Sequence, residues 1–321
     1  MRRRWRFISA LSLLMWLASS SPAQIGANWT QATTHAAWCD RWAHTSVEFG
    51  GRIWVLGGWG LGDRNDVWST ADGVTWTSAT LAAPWPARSD HATVVFNDRI
   101  WLLGGSGYPG TMRDVWHSSD GVHWTSATLS AAWPARWSHT SVVFESKIWV
   151  IGGVGDGDPS AKNDVWYSSD GVHWTSATLS APWSPRGYHT SVVHDGKIWV
   201  IGGFGGNDVW FSADGAHWTS ATLSPSWAPR WGHASVVYDG KIWVIGGRNS
   251  GATLNDVWYS SDGRTWARAT GAAPWSGRFG HSSVVQNTKI WVLGGNQGDP
   301  GYCNDVWYTF AGTAARSWWR Y

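Results

Sequence analysis

Short apolar runs alternate with turn residues along this chain, and the stretch Arg186–Trp218 shows the pattern most clearly. Two apolar runs flank Asp195-Gly196, a pair that favours a two-residue hairpin turn. The second run stops at Gly202-Gly203, and Asp214-Gly215 marks a further turn. The stretch therefore predicts four consecutive strands, at Thr190–His194, Lys197–Ile201, Asp208–Ser212 and around Trp218.

The same pattern occurs six times. A double glycine follows each second strand, at intervals of 47, 48, 50, 44 and 48 residues. Arg-x-x-His precedes each double glycine and Asp-Val-Trp follows it. A four-stranded sheet has two large faces that it cannot bury alone, so we expect the copies to stack on one another. The double glycines begin at Gly57, Gly104, Gly152, Gly202, Gly246 and Gly294.

A period near 48 residues, with a double glycine followed by aromatic strands, resembles the kelch repeat. Six such repeats imply an all-β fold, a six-bladed β-propeller of the kelch type. The resemblance covers nearly all of the chain after residue 23. The Ser-x-Asp-Gly-x-x-Trp segment, as at Ser118–Trp124, is also similar to the Asp-box of sialidases. That segment is a structural hairpin turn in those proteins, so it adds to the fold prediction only.

The two ends of the repeat region predict how the ring closes. The sixth copy lacks its fourth-strand tryptophan, whereas Trp29–Thr33 matches the fourth-strand sequence of the other copies. Trp29 precedes Arg41 by 12 residues, as Trp76 precedes Arg88. The N-terminal strand is therefore expected to complete the last blade, which removes an exposed sheet edge.

The composition fits an all-β protein, with 14% charged residues, 39 Gly and 32 Trp. Twenty-four of the tryptophans occupy four repeating positions per blade. Because one indole can bury roughly 200 Å², we expect these tryptophans to pack between blades. The set in the loops between blades, which includes Trp38 and Trp85, has ligand binding as its alternative role.

The first residues resemble a secretory signal peptide. Met1–Arg6 carries four arginines, Phe7–Leu17 is apolar, and Ser21-Pro22-Ala23 offers small residues for cleavage after Ala23. An uncleaved anchor is the alternative. The predicted boundaries are a signal peptide at 1–23, the propeller at 24–309 and a C-terminal tail at 310–321.

Cleavage predicts a secreted or periplasmic protein and changes its charge. Removing the signal lowers the formal net charge from +2 to about −2, which argues against nucleic acid or an anionic membrane as partner. No internal run is long enough to span a bilayer. Cys39 and Cys303 both fall at the predicted closure seam, so export favours a disulfide between them, with two free thiols as the alternative.

Charged and histidine residues recur once per blade. Six arginines and six aspartates emerge on one face, which predicts a structural ring of ion pairs, with a cationic ring for a carboxylate ligand as the alternative. A small residue follows each histidine of Arg-x-x-His, so these histidines are expected to pack between blades without forming a metal site. The arginines are Arg41, Arg88, Arg136, Arg186, Arg230 and Arg278. The aspartates are Asp66, Asp114, Asp164, Asp208, Asp256 and Asp305.

The loops on that face differ between copies, and variation on a rigid scaffold is where specificity usually lies. Aromatic residues between Arg and His, with polar neighbours, suit a sugar or a peptide with an acidic or aromatic end. The predicted ligand-binding residues are Trp42, Trp59, Asp90, Tyr108, Trp137, Tyr188, Phe204, Trp231, Arg248, Phe279 and Asn296.

No nucleophile–base–acid arrangement is readable and no cofactor is implied. The copper ligands of galactose oxidase, another kelch propeller, have no placeable counterpart here. The chain also resembles bacterial sialic-acid mutarotases, which implies a carboxylate and an arginine in the central bowl. Asp90 and Glu48 are the catalytic candidates, and Glu48 is expected to reach the channel or to meet His44.

The sequence thus predicts an exported, monomeric kelch propeller that binds a ligand, with a glycan ahead of a protein. A sugar-modifying enzyme of the mutarotase type is the first alternative, and a structural or adhesive surface protein is the second.

Overall fold

The predicted all-β fold is confirmed. The structure, a computed structural model, describes residues 25–156, 161–298 and 301–310, and these form 24 strands without a helix. The strands make six antiparallel sheets of four, the blades of a β-propeller. The predicted signal peptide and residues 311–321 of the predicted tail lie outside the described residues. No helix able to cross a membrane occurs in the described part of the chain.

The strands are numbered in chain order, from the inner strand of each blade to its outer strand. Blade 1 contains β2 (Thr45–Phe49), β3 (Arg52–Gly60), β4 (Gly62–Thr70) and β5 (Thr77–Thr80). Blade 2 contains β6 (Ala92–Phe96), β7 (Arg99–Gly107), β8 (Gly110–Ser118) and β9 (Thr125–Thr128). Blade 3 contains β10 (Thr140–Phe144), β11 (Lys147–Val154), β12 (Ala161–Ser168) and β13 (Thr175–Thr178).

The remaining blades follow the same order. Blade 4 contains β14 (Thr190–His194), β15 (Lys197–Ile201), β16 (Val209–Ser212) and β17 (Thr219–Thr222). Blade 5 contains β18 (Ala234–Tyr238), β19 (Lys241–Arg248), β20 (Thr253–Ser260) and β21 (Ala267–Thr270). Blade 6 contains β22 (Ser282–Gln286), β23 (Lys289–Asn296), β24 (Tyr302–Phe310) and the N-terminal strand β1 (Thr30–Thr33).

Closure of the ring by the N-terminal strand is also confirmed. Strand β1 pairs antiparallel with β24, with Thr30 opposite Tyr308 and Gln31 opposite Trp307. It is therefore the outer strand of blade 6, and the edge of β24 is covered as expected. Backbone pairing between the two ends of the described chain thus holds blade 6 together.

The core lies between blades. In the second strand of blade 1, Ile53, Val55 and Leu56 are fully buried, because a neighbouring blade covers each face of the sheet. A strand buried on both faces reads as a continuous apolar run, as the second strands here do. The buried apolar residues accordingly form six clusters, each built from two adjacent blades.

Tryptophans fix the distance between blades. A Cβ added to Gly121, in the Asp-Gly turn of blade 2, would lie 2.1 Å from Cζ3 of Trp54 in blade 1. The indole therefore occupies the space that only a glycine leaves open, and Gly121 also has a positive φ of 74°. The loop tryptophans belong to the core too, since Trp38 is 1% exposed and meets Trp76 edge-on at 5.7 Å.

The ring of ion pairs holds the loops on the face where the first strands begin. In blade 1, Arg41 Nη1 and Nη2 donate to the two carboxylate oxygens of Asp66, each at 2.7 Å, and Nη1 also donates to the Gly57 carbonyl. Burial alone would raise the pKa of Asp66, but the hydrogen bonds and charge of Arg41 lower it. The same pairing joins Arg88–Asp114, Arg136–Asp164, Arg186–Asp208, Arg230–Asp256 and Arg278–Asp305.

These ion pairs decide between the two roles considered for the arginines. All six arginine side chains are fully buried by their blades. Each guanidinium is neutralised by a bidentate aspartate, also donates to backbone carbonyls, as Arg88 does to Pro86 and Gly104, and has no exposed surface for a ligand to reach. The six ion pairs match the expected structural ring, and the alternative of a cationic ring for a carboxylate ligand does not fit these six residues.

The predicted disulfide is not formed in the structure. Cys39 is an exposed free thiol whose Sγ accepts a hydrogen bond from Arg41 Nη2 at 3.2 Å. Cys303 is buried, and its Sγ donates to the Gly295 carbonyl at 3.2 Å. Both cysteines lie at the seam, since the Arg41 amide donates to the Cys303 carbonyl. Each sulfur is engaged with a partner of its own, and burial raises the pKa of Cys303 to about 11.

Candidate functional site at the mouth of the channel

The residue before each Arg-x-x-His histidine forms an inner ring around the channel axis. Each of these residues has a positive φ, for example 54° at Asp90 and 55° at Tyr188, a conformation that is strained for residues other than glycine. Each backbone N–H donates to the carbonyl of its counterpart in the preceding blade, at 2.7–3.0 Å, so six hydrogen bonds close a circle that offsets the strain. The inner ring consists of Ala43, Asp90, Ser138, Tyr188, Gly232 and Gly280.

The residue after each arginine forms an outer ring. Trp42 N–H donates to the Trp59 carbonyl at 2.9 Å, and Trp59 N–H donates back at 2.8 Å. The same pair of bonds ties four other outer-ring residues to the residue that follows the double glycine, and in blade 4 Phe204 N–H donates to the Gly187 carbonyl. These pairs are Trp42–Trp59, Ser89–Ser106, Trp137–Val154, Gly187–Phe204, Trp231–Arg248 and Phe279–Asn296.

Five aromatic side chains from the two rings form a contiguous row, which we call the aromatic belt. Its members, in order around the mouth, are Trp42, Phe279, Trp231, Tyr188 and Trp137, with successive ring centroids 5.4, 5.0, 5.3 and 5.6 Å apart. These distances are within the range of favourable aromatic contacts. The belt passes through five blades and is interrupted in blade 2, where Ser89 and Asp90 replace the rings.

Two cavities at the mouth share Tyr188, and a third, of about 510 Å³, lies beside Phe204, Trp231 and Asn249. The larger of the two that share Tyr188, of about 470 Å³, is lined by the belt residues Trp42, Trp137, Tyr188 and Trp231 and by Phe204. The smaller, of about 120 Å³, lies on the channel axis between the inner ring and the six histidines. Tyr188 lines both cavities, so they adjoin one another.

The gap in the belt holds a polar cluster, which we call the polar corner: Asp63, Ser89, Asp90 and Ser138. Asp90 Oδ1 accepts a hydrogen bond from Ser138 Oγ at 2.9 Å. Burial raises the pKa of Asp90 to about 7; the Ser138 hydrogen bond opposes that rise, and the Asp63 charge adds to it. Burial also raises the pKa of Asp63, against a hydrogen bond from Ser89. Neither carboxylate has an ion-pair partner among the described residues.

The phenol of Tyr188 extends this network. Burial raises its pKa, the nearby Asp90 charge adds to the effect, and a hydrogen bond with Ser138 opposes it. Tyr188, Ser138 and Asp90 therefore form one hydrogen-bonded series from the belt to the carboxylate, in which the phenol stays protonated at neutral pH.

The six histidines form a ring beneath the mouth and pack between blades. A Cβ on Gly57 would lie 2.9 Å from Cε1 of His91, so the ring of each histidine covers a glycine of the preceding blade. His91 Nε2 bonds with the Thr45 hydroxyl at 2.9 Å, and three other histidines have an equivalent partner. Burial lowers the pKa of all six, which keeps them neutral. In the described part of the chain no group of three or more His, Cys, Asp or Glu is placed to hold a metal ion.

Two histidines differ from the rest because their hydroxyl partner is replaced by alanine. Where the preceding blade has Ala92 or Ala234, His139 and His281 have no hydrogen-bond partner on either ring nitrogen. Both are buried, at 4% and 5% exposure, and both line the smaller cavity.

Other predicted site residues fall outside the cavities. Tyr108 is 92% exposed at the tip of the β7–β8 hairpin, and Trp59 is 38% exposed on the rim. Arg248 is exposed, with Cζ 5.9 Å from the Trp231 ring and 5.3 Å from the Phe279 ring. Asn296 is half-buried beside Phe279.

Glu48 is not part of this site. It lies at the far end of β2 from His44, is exposed, and accepts the Gly51 N–H at 2.9 Å in the hairpin that follows. The carboxylate therefore caps a turn and does not meet His44, which was one of the two alternatives expected for it. Sequence reasoning also missed Ser138, although its place in the repeat matches that of Asp90 one blade earlier.

Comparisons with known proteins agree with this architecture. The model of the KLHDC2/KLHL20/DRC7 Kelch-repeats domain matches residues 43–214 and 138–320. A solved structure titled "Structure of YjhT" is similar with a TM-score of 0.72 and 15% sequence identity, over 86% of this chain and 96% of that chain. At that identity the likeness concerns the fold alone. A search of curated proteins finds no match.

Proposed function

Since the chain belongs to the kelch-repeat family, whose propellers generally mediate binding, we propose that the mouth of its channel binds a glycan. The observation that carries the proposal is the aromatic belt around a cavity of about 470 Å³ with hydroxyl and carboxylate groups beside it. Small-molecule sites commonly have this size and this mixture of apolar walls and few polar groups. A sugar ring offers an apolar face to an indole and hydroxyl donors to carboxylates.

The mouth is also built to hold a ligand rigidly. The inner ring is fixed by its circle of backbone hydrogen bonds, and the outer ring is paired to the second strands. Side chains on such a frame lose little freedom when a ligand binds, which favours affinity.

A protein ligand is the alternative use of the same face. Leu61 is 97% exposed, Tyr108 92% and Phe204 67% on loops around the mouth. A protein partner covers about 800 Å² of each surface and would contact these loop tips, whereas a glycan in the cavity would leave Leu61 and Tyr108 free. The two ligands therefore predict different sensitive residues.

The test is a glycan-array screen followed by calorimetry on purified variants. We expect Trp137→Ala and Trp231→Ala to abolish binding of the glycan that the wild type selects, while Leu61→Ser and Tyr108→Ser bind it normally. Phe310→Ala is the matched aromatic control, because Phe310 lies at the end of β24 that is farther from the mouth. Binding that survives both tryptophan variants would overturn the proposal, and loss only in the loop-tip variants would favour a protein ligand. No glycan bound at all would favour a structural or adhesive protein.

A second candidate function is interconversion of sugar anomers. The observation in its favour is a carboxyl with a pKa of about 7 in the mouth, which suits a group that both takes up and releases a proton. Asp90 is then the acid–base residue and Tyr188, through Ser138, positions it. NMR exchange between sialic acid anomers, or those of another reducing sugar bound on the array, tests it. A rate no higher than background, or one kept by Asp90→Asn, rules this candidate out.

Export through residues 1–23 belongs to the same proposal, because an extracellular or periplasmic propeller meets glycans directly. Amino-terminal sequencing of the protein recovered from outside the cytoplasm should begin at Gln24. An intact N-terminus in the membrane fraction would contradict cleavage.

A further inference from the structure

We propose that the glycan bound at the mouth carries a free amino group, and that its ammonium lies in the polar corner against Asp63 and Asp90. The inference rests on the proposed function and adds the charge of the ligand to it. It predicts selection of a 2-amino-2-deoxyhexose over the N-acetylated or uncharged sugar of the same linkage.

The mouth of the channel carries two carboxylates, Asp63 and Asp90, that no cation of the described chain pairs with. The six arginines that recur once per blade are each paired with an aspartate and are fully buried. Asp63 and Asp90 have no ion-pair partner in the described chain, and Asp63 Oδ1 is buried without a hydrogen bond. A partly buried carboxylate without a counter-charge is costly, and two of them close together raise that cost. An ammonium from the ligand supplies the missing counter-charge and offsets the repulsion between the two carboxylates.

An independent observation points to the same place. His139 lines the smaller cavity together with Asp90, is 4% exposed, and has no partner on either ring nitrogen. A neutral imidazole has one nitrogen that accepts a hydrogen bond, so this ring offers a buried acceptor that the protein leaves unused. An ammonium has three N–H donors, enough for two carboxylates and this imidazole.

The belt suits a cation as well. The Arg248 guanidinium already lies over Trp231 and Phe279, at 5.9 and 5.3 Å from their centroids. On the other side of the mouth, Trp42, Trp137 and Tyr188 have no such cation over their faces among the described residues. Electron-rich ring faces attract ammonium groups, so belt and polar corner favour the same charge.

A ligand that carries a carboxylate would be disfavoured at the polar corner. Arg248, an exposed cation beside the belt, lies in blade 5, whereas Asp63 lies in β4 of blade 1 and Asp90 in the loop that precedes β6 of blade 2. An anion in the polar corner would be repelled by Asp90 and Asp63. The same acids therefore select against acidic sugars while they select for amino sugars.

The experiment compares three tetrasaccharides of identical linkage: the β-1,4 oligomers of glucosamine, N-acetylglucosamine and glucose, by calorimetry at pH 7.5. We expect the glucosamine oligomer to bind the full-length protein at least about tenfold more tightly than the other two. Asp90→Asn and Asp63→Asn should each bring the ratio of glucosamine-oligomer affinity to glucose-oligomer affinity close to one. Asn tolerates the positive φ of position 90, so the fold is retained; Asp239→Asn, in a hairpin on the opposite face, is the matched control.

The two alanines supply a second pair of variants. Ala92→Thr restores the hydroxyl partner of His139 as in the other blades, and should weaken glucosamine binding several-fold. Ala234→Thr makes the same change beside His281, where the inner ring has glycines and no carboxylate, and should have no effect. Equal affinity for all three oligomers, or a preference that survives both Asp→Asn changes, overturns the amino-sugar inference but leaves glycan binding intact. No binding of any oligomer overturns both.

Discussion

Replacing Asp90 by Asn should stabilise the protein at alkaline pH and leave its stability almost unchanged in acid. The pKa of Asp90 in the folded protein is about 7, against an ordinary value of 3.8. The folded state therefore holds the proton more tightly than the unfolded chain, and folding is favoured where the carboxyl is neutral in both states. Stability is lost as pH rises from about 4 to about 7, and the loss is complete above the folded pKa.

The size of the effect follows from the two pKa values. Each pH unit between them corresponds to about 1.4 kcal/mol, so ionisation of Asp90 costs the folded state about 4 kcal/mol at most. Asn keeps a carbonyl that accepts the Ser138 hydroxyl but carries no charge, and it relieves the repulsion from Asp63. We expect the difference in unfolding free energy between Asp90→Asn and wild type to rise by about 2–4 kcal/mol between pH 4 and pH 8.5.

Guanidinium chloride unfolding at pH 4, 5.5, 7 and 8.5 measures this difference. The groups around Asp90 that titrate or carry charge are Asp63, Tyr188, His91 and His139. The histidines are common to both proteins, so their contribution cancels in the comparison, and Asp98→Asn, in an exposed hairpin, controls for a general charge effect. A difference that stays constant with pH, or that falls as pH rises, would refute the account of the polar corner.

Three further outcomes follow from the packing of the ring. Arg136→Met leaves Asp164 buried without its partner and should cost about 3–5 kcal/mol in denaturant unfolding, whereas breaking an exposed lysine pair on the opposite face should cost less than about 1. Gly121→Ala places a methyl group against Trp54 at a positive φ and should cost about 3 kcal/mol; Gly196→Ala, at a positive φ with open space around it, should cost about 1. Because burial lowers the pKa of six histidines, the free energy of unfolding should fall steeply as pH drops below about 6.5. The slope of that free energy against pH gives the number of protons taken up on unfolding, which should approach six. An uptake of one or two protons would contradict the neutral histidine ring.

Repetition made the architecture predictable from sequence. Hairpin turns, double glycines and the tryptophans recur at one period, and each recurrence is an independent observation of the same blade. The match of Trp29–Thr33 to the fourth strands predicted closure for the same reason. The disulfide between Cys39 and Cys303 was predicted from their shared seam, but sharing a seam does not bring two sulfur atoms into contact.

Contacts across blades were harder to predict. The sequence placed arginines and aspartates on one face but left open whether the guanidiniums pair or face a ligand. The structure decides this because Asp66, the Gly57 carbonyl and Cys39 together take the donors of Arg41. Likewise, Ser138 meets Asp90 only because each inner-ring residue bonds to its counterpart one repeat earlier.

Chemistry in this ring arises where one repeat departs from the others. Blade 2 has Ser89 and Asp90 at two positions where every other blade has one aromatic residue, and two residues after Asp90 it has Ala92 where four other blades have a hydroxyl. Both changes act on blade 3, the first by placing a carboxylate against Ser138 and the second by leaving His139 without a partner. Blade 5 shares only the alanine, so His281 lacks a partner but faces no acid. The unpartnered His139, the Asp90 carboxylate and the break in the aromatic belt therefore all lie at the junction of blades 2 and 3. Because these three departures from the repeat occur together there, we infer that this junction is the binding site.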